Sequence, residues 1–391
     1  MSNRPQAASS AAATEAVDAL VIDGMIDRAI ARIDRALPDF AGSFPAPSSE
    51  GGVYPAIENI EWTNGFWTGM LWLAWELRGD QRHRSTAEAQ IASFVDRVVH
   101  RVAVDHHDLG FLYTLSCTAG WRLTASEEAL AAALEAGELL LGRYDPIARV
   151  IQAWGDMRDP AQRGRMIIDC NLNLPLLWWV ANETGESRFR EAADAHVAQA
   201  ARYLVRPDRS TFHTFYIDTE TGLPRHGTTH QGYSDDSCWA RGQAWGIYGF
   251  ALAFRHTGDP AYLTLATELA DYMLARLPTD GICCWDLIFT GEEDLRDSSA
   301  AAIAACGLLE IAGHLPPTDP QHIRFAAAAT SMLVTLDRAY LAPIEGSNGL
   351  LAHAVYHWPN RVGVDECCIW GDYFYLEGLT RLRRAWQPYW A

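Results

Sequence analysis

The sequence predicts an all-α protein built as an (α/α)6 barrel of six helical hairpins. Three observations lead to this prediction. Six segments are apolar, aromatic or rich in alanine on nearly every side, amphipathic segments lie between them, and a polar cluster precedes each apolar segment. Helices that are apolar all round are buried, and amphipathic helices cover them. Two concentric layers of helices satisfy both patterns.

The six apolar segments are the predicted inner helices of the barrel. Helical periodicity dominates in them, and charged residues are scarce. They span residues 66–77, 111–123, 174–181, 244–254, 299–309 and 373–382.

The predicted outer helices carry apolar residues three and four positions apart and charges on the other face, as in 188–204 and 261–277. Where an inner helix leads into an outer one, Gly or Pro ends the first helix in most cases, and Asp, Ser or Thr is suited to cap the second. Five such turns fall near residues 79, 125, 185, 258 and 317, which is a loose repeat of a helical hairpin. A sixth hairpin is predicted to close between residue 373 and the C-terminus.

The opposite ends of the hairpins carry the polar clusters, each immediately before an inner helix. If the inner helices run parallel to one another, all six of these clusters gather at one rim of the barrel. Converging helix N-termini present N–H groups and positive dipole ends, which suit a carboxylate. The rim is therefore the predicted site, and it would allow an acidic protein to bind an acidic sugar. The clusters are residues 62–65, 107–110, 169–171, 241–243, 296–298 and 370–372.

Composition limits the classes of partner. The chain has 391 residues, 49% of them hydrophobic, which is enough for one large core. Lys plus Arg number 31 against 49 Asp plus Glu, a net charge of -18, which disfavours nucleic acid and anionic membrane surfaces as partners. Aromatic residues make up 11% of the chain, a content suited to a cleft that stacks sugar rings.

Several features predict a soluble cytoplasmic protein. The eight cysteines include no CxxC pair and are expected to be reduced, packed thiols. The first twenty residues have Ala and Ser where a signal peptide needs a Leu-rich core, although a poor export signal is the alternative. No stretch of 18 uninterrupted apolar residues occurs. We expect a flexible N-terminal segment, residues 1–20, and a single barrel domain, residues 21–391, of undetermined oligomeric state.

Two acidic residues differ from the other Asp and Glu residues in their sequence surroundings. Asp108 in HHDLGF and Asp169 in IIDCNLN have apolar neighbours, and each precedes a predicted inner helix. Burying an ionised carboxylate is costly without partners. A pair of carboxylates, one kept partly protonated by the other, performs acid–base chemistry on sugars. The alternative is that both are helix caps, and spacing alone leaves both interpretations open.

Aromatic and cationic side chains near the rim are further candidates. Trp62, Phe66, Trp154 and Trp245 are placed to stack on sugar rings, with core packing as the alternative for each. Arg241 lies between tryptophans in CWARGQAW and needs an anion if it is buried. That anion is either an internal aspartate or a carboxylate of the substrate.

Candidate histidines, and the absence of several catalytic motifs, further restrict the reactions expected of the site. His107, His213 and His357 are candidate hydrogen-bond donors to a ligand, with a structural role as the alternative. The sequence has no HExxH motif, P-loop or GxSxG signature, which disfavours a metal site, nucleotide chemistry and serine hydrolysis. Cys170 has no neighbouring His in the sequence and is expected to be a packing thiol. We expect neither a metal nor a cofactor.

Long motifs along most of the chain resemble the unsaturated glucuronyl hydrolases of glycoside hydrolase family 88. The resemblance implies an (α/α)6 barrel, a cytoplasmic setting and removal of the 4,5-unsaturated glucuronic acid that polysaccharide lyases leave at the nonreducing end of oligosaccharides. These would be glycosaminoglycan or bacterial polysaccharide fragments. The motifs are WTNGFWTGMLWLAWE, HDLGF, IIDCNLNLPLLWW, HTFYID, HQGYSDDSCWARGQAWGIYG, RDSSAAAIAACGLLE and IWGDYFYLEGL.

The resemblance also implies roles for particular residues. Asp169 matches the general acid and base, and Asp108 matches its carboxylate partner. By the same resemblance, Asp169 would protonate C4 of the sugar's vinyl ether and activate the water that adds at C5. The positions that match substrate contacts are Trp62, Phe66, His107, Trp154, His213, Gln231, Arg241, Trp245, Tyr356 and His357.

Three other functions remain open at this point. An unsaturated rhamnogalacturonyl hydrolase shares the barrel but takes pectin fragments. A sugar 2-epimerase on a similar barrel would use His bases where this chain has Asp. A non-enzymatic helical scaffold would have no need of six polar clusters. Neither the glycan, its linkage nor the tolerance of sulfate follows from the sequence.

Overall fold

The computed structural model describes residues 18–391, in which twelve helices alternate between outer and inner positions. Of the predicted flexible segment, residues 1–20, the first 17 residues lie outside the described part of the chain. In chain order, outer first, the helices are α1 (Ala19–Ala36), α2 (Asn64–Arg78), α3 (Gln81–Val99), α4 (109–124), α5 (Glu127–Leu141), α6 (Leu174–Thr184), α7 (Ser187–Tyr203), α8 (Ala240–Thr257), α9 (Pro260–Leu274), α10 (Ser298–Gly313), α11 (Pro320–Ala339) and α12 (Ile369–Arg383).

The even-numbered helices form a closed inner ring. Each contacts the next, and α12 contacts α2, which closes the ring. Each outer helix packs on an inner one, and the outer partner of α12 is α1 rather than a helix that follows it. The (α/α)6 barrel is therefore confirmed, and its sixth hairpin is made by the first and last helices of the described chain.

Short turns lead from inner to outer helices, as the Gly and Asp signals predict. Gly79, Gly185 and Gly258 end α2, α6 and α8 with φ angles of 72°, 75° and 73°, a left-handed conformation that suits glycine. Asp80 and Asp259 then cap the next helices by accepting backbone N–H groups.

The connections from outer to inner helices are longer and hold every strand in the described part of the chain. Their sheets are antiparallel and have two or three strands. These connections form the rim. The strands are β1 (Phe44–Pro45), β2 (Ala56–Ile57), β3 (Tyr144–Asp145), β4 (Val150–Ile151), β5 (Arg165–Ile167), β6 (Thr214–Ile217), β7 (Pro224–Thr228), β8 (Ala354–His357) and β9 (Val362–Glu366).

Aromatic side chains fill the inner ring below the rim. Trp390, near the C-terminus, is buried against Phe111 and Phe374, with ring centroids 6.1 and 6.0 Å away. Its indole N–H donates to Glu377 at 2.8 Å, so the polar atom of this large side chain has a partner. The barrel interior is therefore a packed core rather than a channel. Among residues 18–391, no helix combines the length and hydrophobicity needed to span a bilayer.

Candidate active site

A cavity of about 190 Å³ opens at the rim. This volume is below the roughly 300–1,000 Å³ typical of pockets for drug-sized ligands, so it suits a single sugar ring. Five of the six outer-to-inner connections contribute to its wall. Its lining contains eight of the twelve sequence-predicted site residues and one isoleucine, namely Trp62, His107, Asp108, Trp154, Ile167, Asp169, His213, Gln231 and Tyr356.

Asp108 stands at the N-cap position of α4, but its side chain makes no capping hydrogen bond. Its carboxylate oxygens instead lie 3.3 Å from a ring nitrogen of His106 and 3.3 Å from one of His107. Burial alone would raise the pKa of Asp108, but His107, His106 and the Asn173 amide favour the carboxylate and lower that pKa below its usual 3.8. Asp108 is therefore ionised at neutral pH.

Asp169 has the opposite electrostatic environment. It lies in a single 3-10 turn, Ile168–Leu172, is 9% exposed, and its Oδ1 atom has no hydrogen-bond partner in the protein. Burial and the nearby charge of Asp108 raise the pKa of Asp169 to about 7, although Arg241 acts in the other direction. Two carboxylates in one cavity thus have separated pKa values, which is the arrangement that acid–base chemistry requires.

Asn173 joins the segments that carry these two carboxylates. Its side-chain oxygen accepts the N–H of Phe111 at 2.7 Å, and its side-chain nitrogen donates to the backbone oxygen of Asp169 at 3.3 Å. The two backbones approach closely here, because a Cβ on Gly110 would lie 2.3 Å from the Cα of Asn173. Glycine at position 110 is therefore required for the carboxylates to share the cavity.

The histidines in the wall are neutral at physiological pH. Burial lowers the pKa of His107 to about 4, so an uncharged ring lies with its Nε2 atom 3.3 Å from the Asp108 carboxylate. Burial, reinforced by nearby positive groups, also lowers the pKa of His213 well below its usual value. The backbone oxygen of His213 accepts the N–H of Ile168 at 3.1 Å, which fixes this histidine next to the turn that carries Asp169.

Arg241 is buried behind the cavity, and its anion is internal. Its guanidinium donates to the backbone oxygens of Val355 at 2.6 Å and Tyr356 at 2.8 Å, and also to the side-chain oxygen of Gln231. The carboxylate of Asp297 lies 3.6 Å away. Of the two partners considered for Arg241, the structure contains the aspartate, and the guanidinium holds two cavity-lining residues in place.

Three more predicted residues lie outside the lining. Phe66 is fully buried and packs behind Trp62, with ring centroids 6.0 Å apart. Trp245 is also fully buried and packs on Phe111 at 5.2 Å. His357 is half-buried at the end of β8, where its Nδ1 accepts the N–H of Asn360 at 3.2 Å. Direct substrate contact stays a prediction for these three residues, as it does for the predicted residues that line the cavity.

Comparison with known proteins decides the family. The profile for Glycosyl Hydrolase Family 88 matches residues 38–311. An unsaturated chondroitin disaccharide hydrolase of Streptococcus pyogenes is 46% identical over 367 residues, covering 93% of this chain and 92% of the relative. The chain belongs to glycosyl hydrolase family 88. It is thus a glycoside hydrolase, and neither the scaffold nor the epimerase is supported.

Solved structures agree with this family 88 assignment. An unsaturated glucuronyl hydrolase of Streptococcus agalactiae superposes with a TM-score of 0.94 at 41% identity, covering 100% of both chains. A mutant of the S. agalactiae enzyme, complexed with dGlcA-GalNAc6S, superposes at 0.86 with 39% identity over 100% of both chains. The resemblance drawn from the motifs is therefore confirmed at the level of family and fold.

Sequence reasoning missed three residues that organise this family 88 site. Asn173 follows two positions after Asn171, which the sequence does single out, and its role depends on a contact with a residue 62 positions away. Asp297 lies in a recognised rim cluster, but its pairing with Arg241 is not visible in the sequence. Thr214 follows His213 directly and contacts its ring. Proximity in the sequence to a candidate residue was the available signal for Asn173 and Thr214, and membership of a polar rim cluster was the signal for Asp297.

A possible cation site lies elsewhere in this family 88 enzyme. Asp34, Asp80 and His83 bring ligand atoms within 4.8 Å of one another at the outer surface. Arg82 forms ion pairs with both carboxylates, at 3.3 and 2.7 Å, and so occupies the position a cation would take. None of these residues lines the cavity.

Proposed function

We propose that this family 88 enzyme releases 4,5-unsaturated glucuronic acid from the nonreducing end of oligosaccharides made by polysaccharide lyases. One observation supports this most directly: a buried Asp169 with a free oxygen and a pKa near 7 shares a cavity with ionised Asp108. The names of the relatives, which specify unsaturated glucuronyl and chondroitin disaccharide hydrolysis, support the choice of substrate.

In the proposed reaction, the protonated carboxyl of Asp169 donates its proton to C4 of the C4=C5 bond. The electrons of that bond form the new C4–H bond, and positive charge develops at C5, where the ring oxygen shares it. A water molecule adds at C5, and the Asp169 carboxylate accepts the proton that this water loses. The acid is thereby regenerated, and C5 carries a hydroxyl group.

The product of hydration then breaks down without further need of the acid's special environment. C5 is now a hemiketal, which collapses to a ketone as its bond to the ring oxygen breaks. The exposed C1 is a hemiacetal, and its collapse expels the rest of the oligosaccharide as an alcohol. The glycosidic bond is not attacked directly, so the separation of the two carboxylates does not predict retention or inversion.

Asp108 has a distinct part in this proposal. Its negative charge raises the pKa of Asp169, which keeps the acid protonated near neutral pH. The same charge favours the positive character that develops on the substrate, since it acts in a buried site where screening by water is weak. Asp108 itself stays ionised because its neighbours favour the carboxylate.

We also propose that residues 21–391 act as one catalytic domain in the cytoplasm. The closed ring of inner helices supports the single domain. All eight cysteines are buried free thiols, which supports a reducing compartment.

Loss of near-UV absorbance from an unsaturated chondroitin disaccharide tests the function, since hydration destroys the conjugated C4=C5 chromophore. We expect loss with the wild-type protein and none with Asp169→Asn. A rhamnogalacturonan disaccharide bearing the same unsaturated end provides the comparison. Faster turnover of that substrate, or an intact chromophore with every unsaturated uronic acid tested, would contradict the proposal.

A further inference from the structure

The cavity that holds the proposed substrate has an acidic lining. Asp108 and Asp169 line it, and the described lining contains neither Lys nor Arg. Asp108 is ionised, and an unsaturated glucuronate itself carries a carboxylate. Two negative charges in one buried cavity repel each other, since water screens them weakly there. Binding of the acid therefore requires positive charge directly behind the cavity wall.

Arg241 supplies little of this charge. Its guanidinium lies 3.6 Å from the carboxylate of Asp297, and both side chains are buried. A cation and an anion at this separation form a pair with no net charge. The effect of such a pair on a third charge decreases more steeply with distance than that of a single ion.

Arg165 is a buried cation without such a partner. It is 8% exposed and lies behind Trp154, with its guanidinium carbon 4.8 Å from the centroid of the indole ring. Its Nε donates to the hydroxyl of Tyr216 at 2.9 Å, and its Nη1 donates to the backbone oxygen of Trp154 at 3.3 Å. Among residues 18–391, no carboxylate oxygen lies within 4.0 Å of its nitrogens. Trp154 lines the cavity and Arg165 does not, so a full positive charge lies one aromatic ring behind the wall.

The charge of Arg165 reaches the wall of the cavity. His230 directly precedes the lining residue Gln231, and its ring centroid lies 5.1 Å from that of Trp154. Burial and the charge of Arg165 lower the pKa of His230 below its usual 6.5, so this histidine is neutral at physiological pH. Asp159 interacts with the same charge, but its carboxylate lies in an exposed loop, where water screens it. The positive field of Arg165 is therefore available to a ligand in the cavity.

We propose that Arg165 is a specificity-determining residue, whose positive charge makes this acidic cavity prefer a uronate over the corresponding uncharged sugar. This inference rests on the proposed function for the identity of the ligand. A sugar stacked on Trp154 would place its carboxylate about 8 Å from the guanidinium, and at an effective dielectric constant of about 20 such a charge pair changes affinity about thirtyfold. Entry of water reduces this effect, so we expect about tenfold.

Affinity for a charged and an uncharged form of one disaccharide tests the inference. The ligands are the unsaturated chondroitin disaccharide and its uronamide, in which a neutral amide of nearly the same shape replaces the carboxylate. Asp169→Asn prevents turnover, and calorimetry at about pH 6, where Asp169 is mostly protonated and hence as neutral as Asn, measures both dissociation constants. In that background, Arg165→Met should weaken binding of the acid about tenfold and of the amide less than about twofold. Arg165→Lys keeps the charge and should retain most of the preference for the acid.

Two further variants serve as controls. Arg165→Gln is also neutral but keeps an amide donor, so it separates loss of the charge from loss of hydrogen bonding, and it should behave as Arg165→Met does. Arg163→Met removes a partly exposed arginine two positions earlier, which pairs with Glu220 at 3.7 Å. It should leave both affinities nearly unchanged.

The pKa of His230 provides a readout that needs no ligand. Removal of the charge in Arg165→Met should raise this pKa, as measured by NMR of histidine-labelled protein, with His230→Asn to identify the signal. Arg163→Met should leave it nearly unchanged.

Three results would overturn the inference. Asp169→Asn could bind the acid no more tightly than the amide, Arg165→Met could weaken both ligands alike, or the pKa of His230 could stay the same in Arg165→Met. Wild-type protein that binds the acid but leaves its chromophore intact would instead overturn the proposed function. The two failures are distinguishable, because the binding and NMR measurements involve no turnover.

Discussion

Asp169→Asn is expected to abolish turnover and to stabilise the fold at alkaline pH. Burial and the charge of Asp108 raise the pKa of Asp169 from 3.8 to about 7. The unfolded chain therefore releases this proton at lower pH than the folded chain, and this carboxyl makes stability fall as pH rises between the two values. At about 1.36 kcal/mol per pH unit, the gap corresponds to at most about 4 kcal/mol of unfolding free energy.

Urea unfolding at about pH 4 and about pH 8 measures this effect. Asparagine has nearly the same shape as aspartate and carries no charge at either pH. The variant should therefore unfold at a higher urea concentration than the wild type at about pH 8, and the two should nearly coincide at about pH 4. Asp39→Asn, which removes a carboxylate from an exposed position, is the matched control.

Two results would refute this reasoning. Asp169→Asn could prove no more stable than the wild type at about pH 8, which would mean that burial imposes no cost on the ionised carboxylate. Alternatively, the same difference could appear at both pH values or in Asp39→Asn. The effect would then come from packing or net charge and not from the titration of Asp169.

Three other outcomes are expected. The kcat/KM of the wild type should fall above about pH 7 as Asp169 loses its proton. Any residual activity of Asp108→Asn should begin to fall at a lower pH, because the charge of Asp108, which raises the pKa of Asp169, is gone. An unshifted pH profile in Asp108→Asn would contradict this assignment. Gly110→Ala should give little folded protein in circular dichroism, since its Cβ would lie 2.3 Å from the Cα of Asn173. Arg241→Met leaves a buried aspartate unpaired and should lower the unfolding free energy by roughly 3–5 kcal/mol in urea titrations; Arg255→Met, which removes a partly exposed arginine, should cost less.

Most of the barrel is predictable from local patterns. The six inner helices are recognisable because they are apolar on every side, and the short turns are recognisable from residues such as Gly79 and Asp80. The pairing of α1 with α12 is not, because it joins segments more than 300 residues apart and periodicity describes only neighbours in the chain. For this reason the sequence predicts a sixth hairpin between residue 373 and the C-terminus, and that prediction is wrong.

The site is predictable where chemistry is concentrated in one residue. Asp108 and Asp169 are identifiable because a carboxylate among apolar neighbours needs an explanation. The residues that hold the site residues in position by hydrogen bonds are harder to find in the sequence. Asn173 and Thr214 are ordinary polar residues in the sequence, and only their contacts with Asp169 and His213 in the fold give them a role.

The pairing of α1 with α12 constrains how the chain acquires its structure during synthesis. Until residues 369–383 leave the ribosome, α1, α2, α10 and α11 all lack a neighbour that they have in the finished barrel. Their apolar flanks stay exposed for that time, when a nascent chain is most prone to aggregate. Joining the existing ends and opening the chain at the turn after Gly79 would change which helix is made last and so test this dependence.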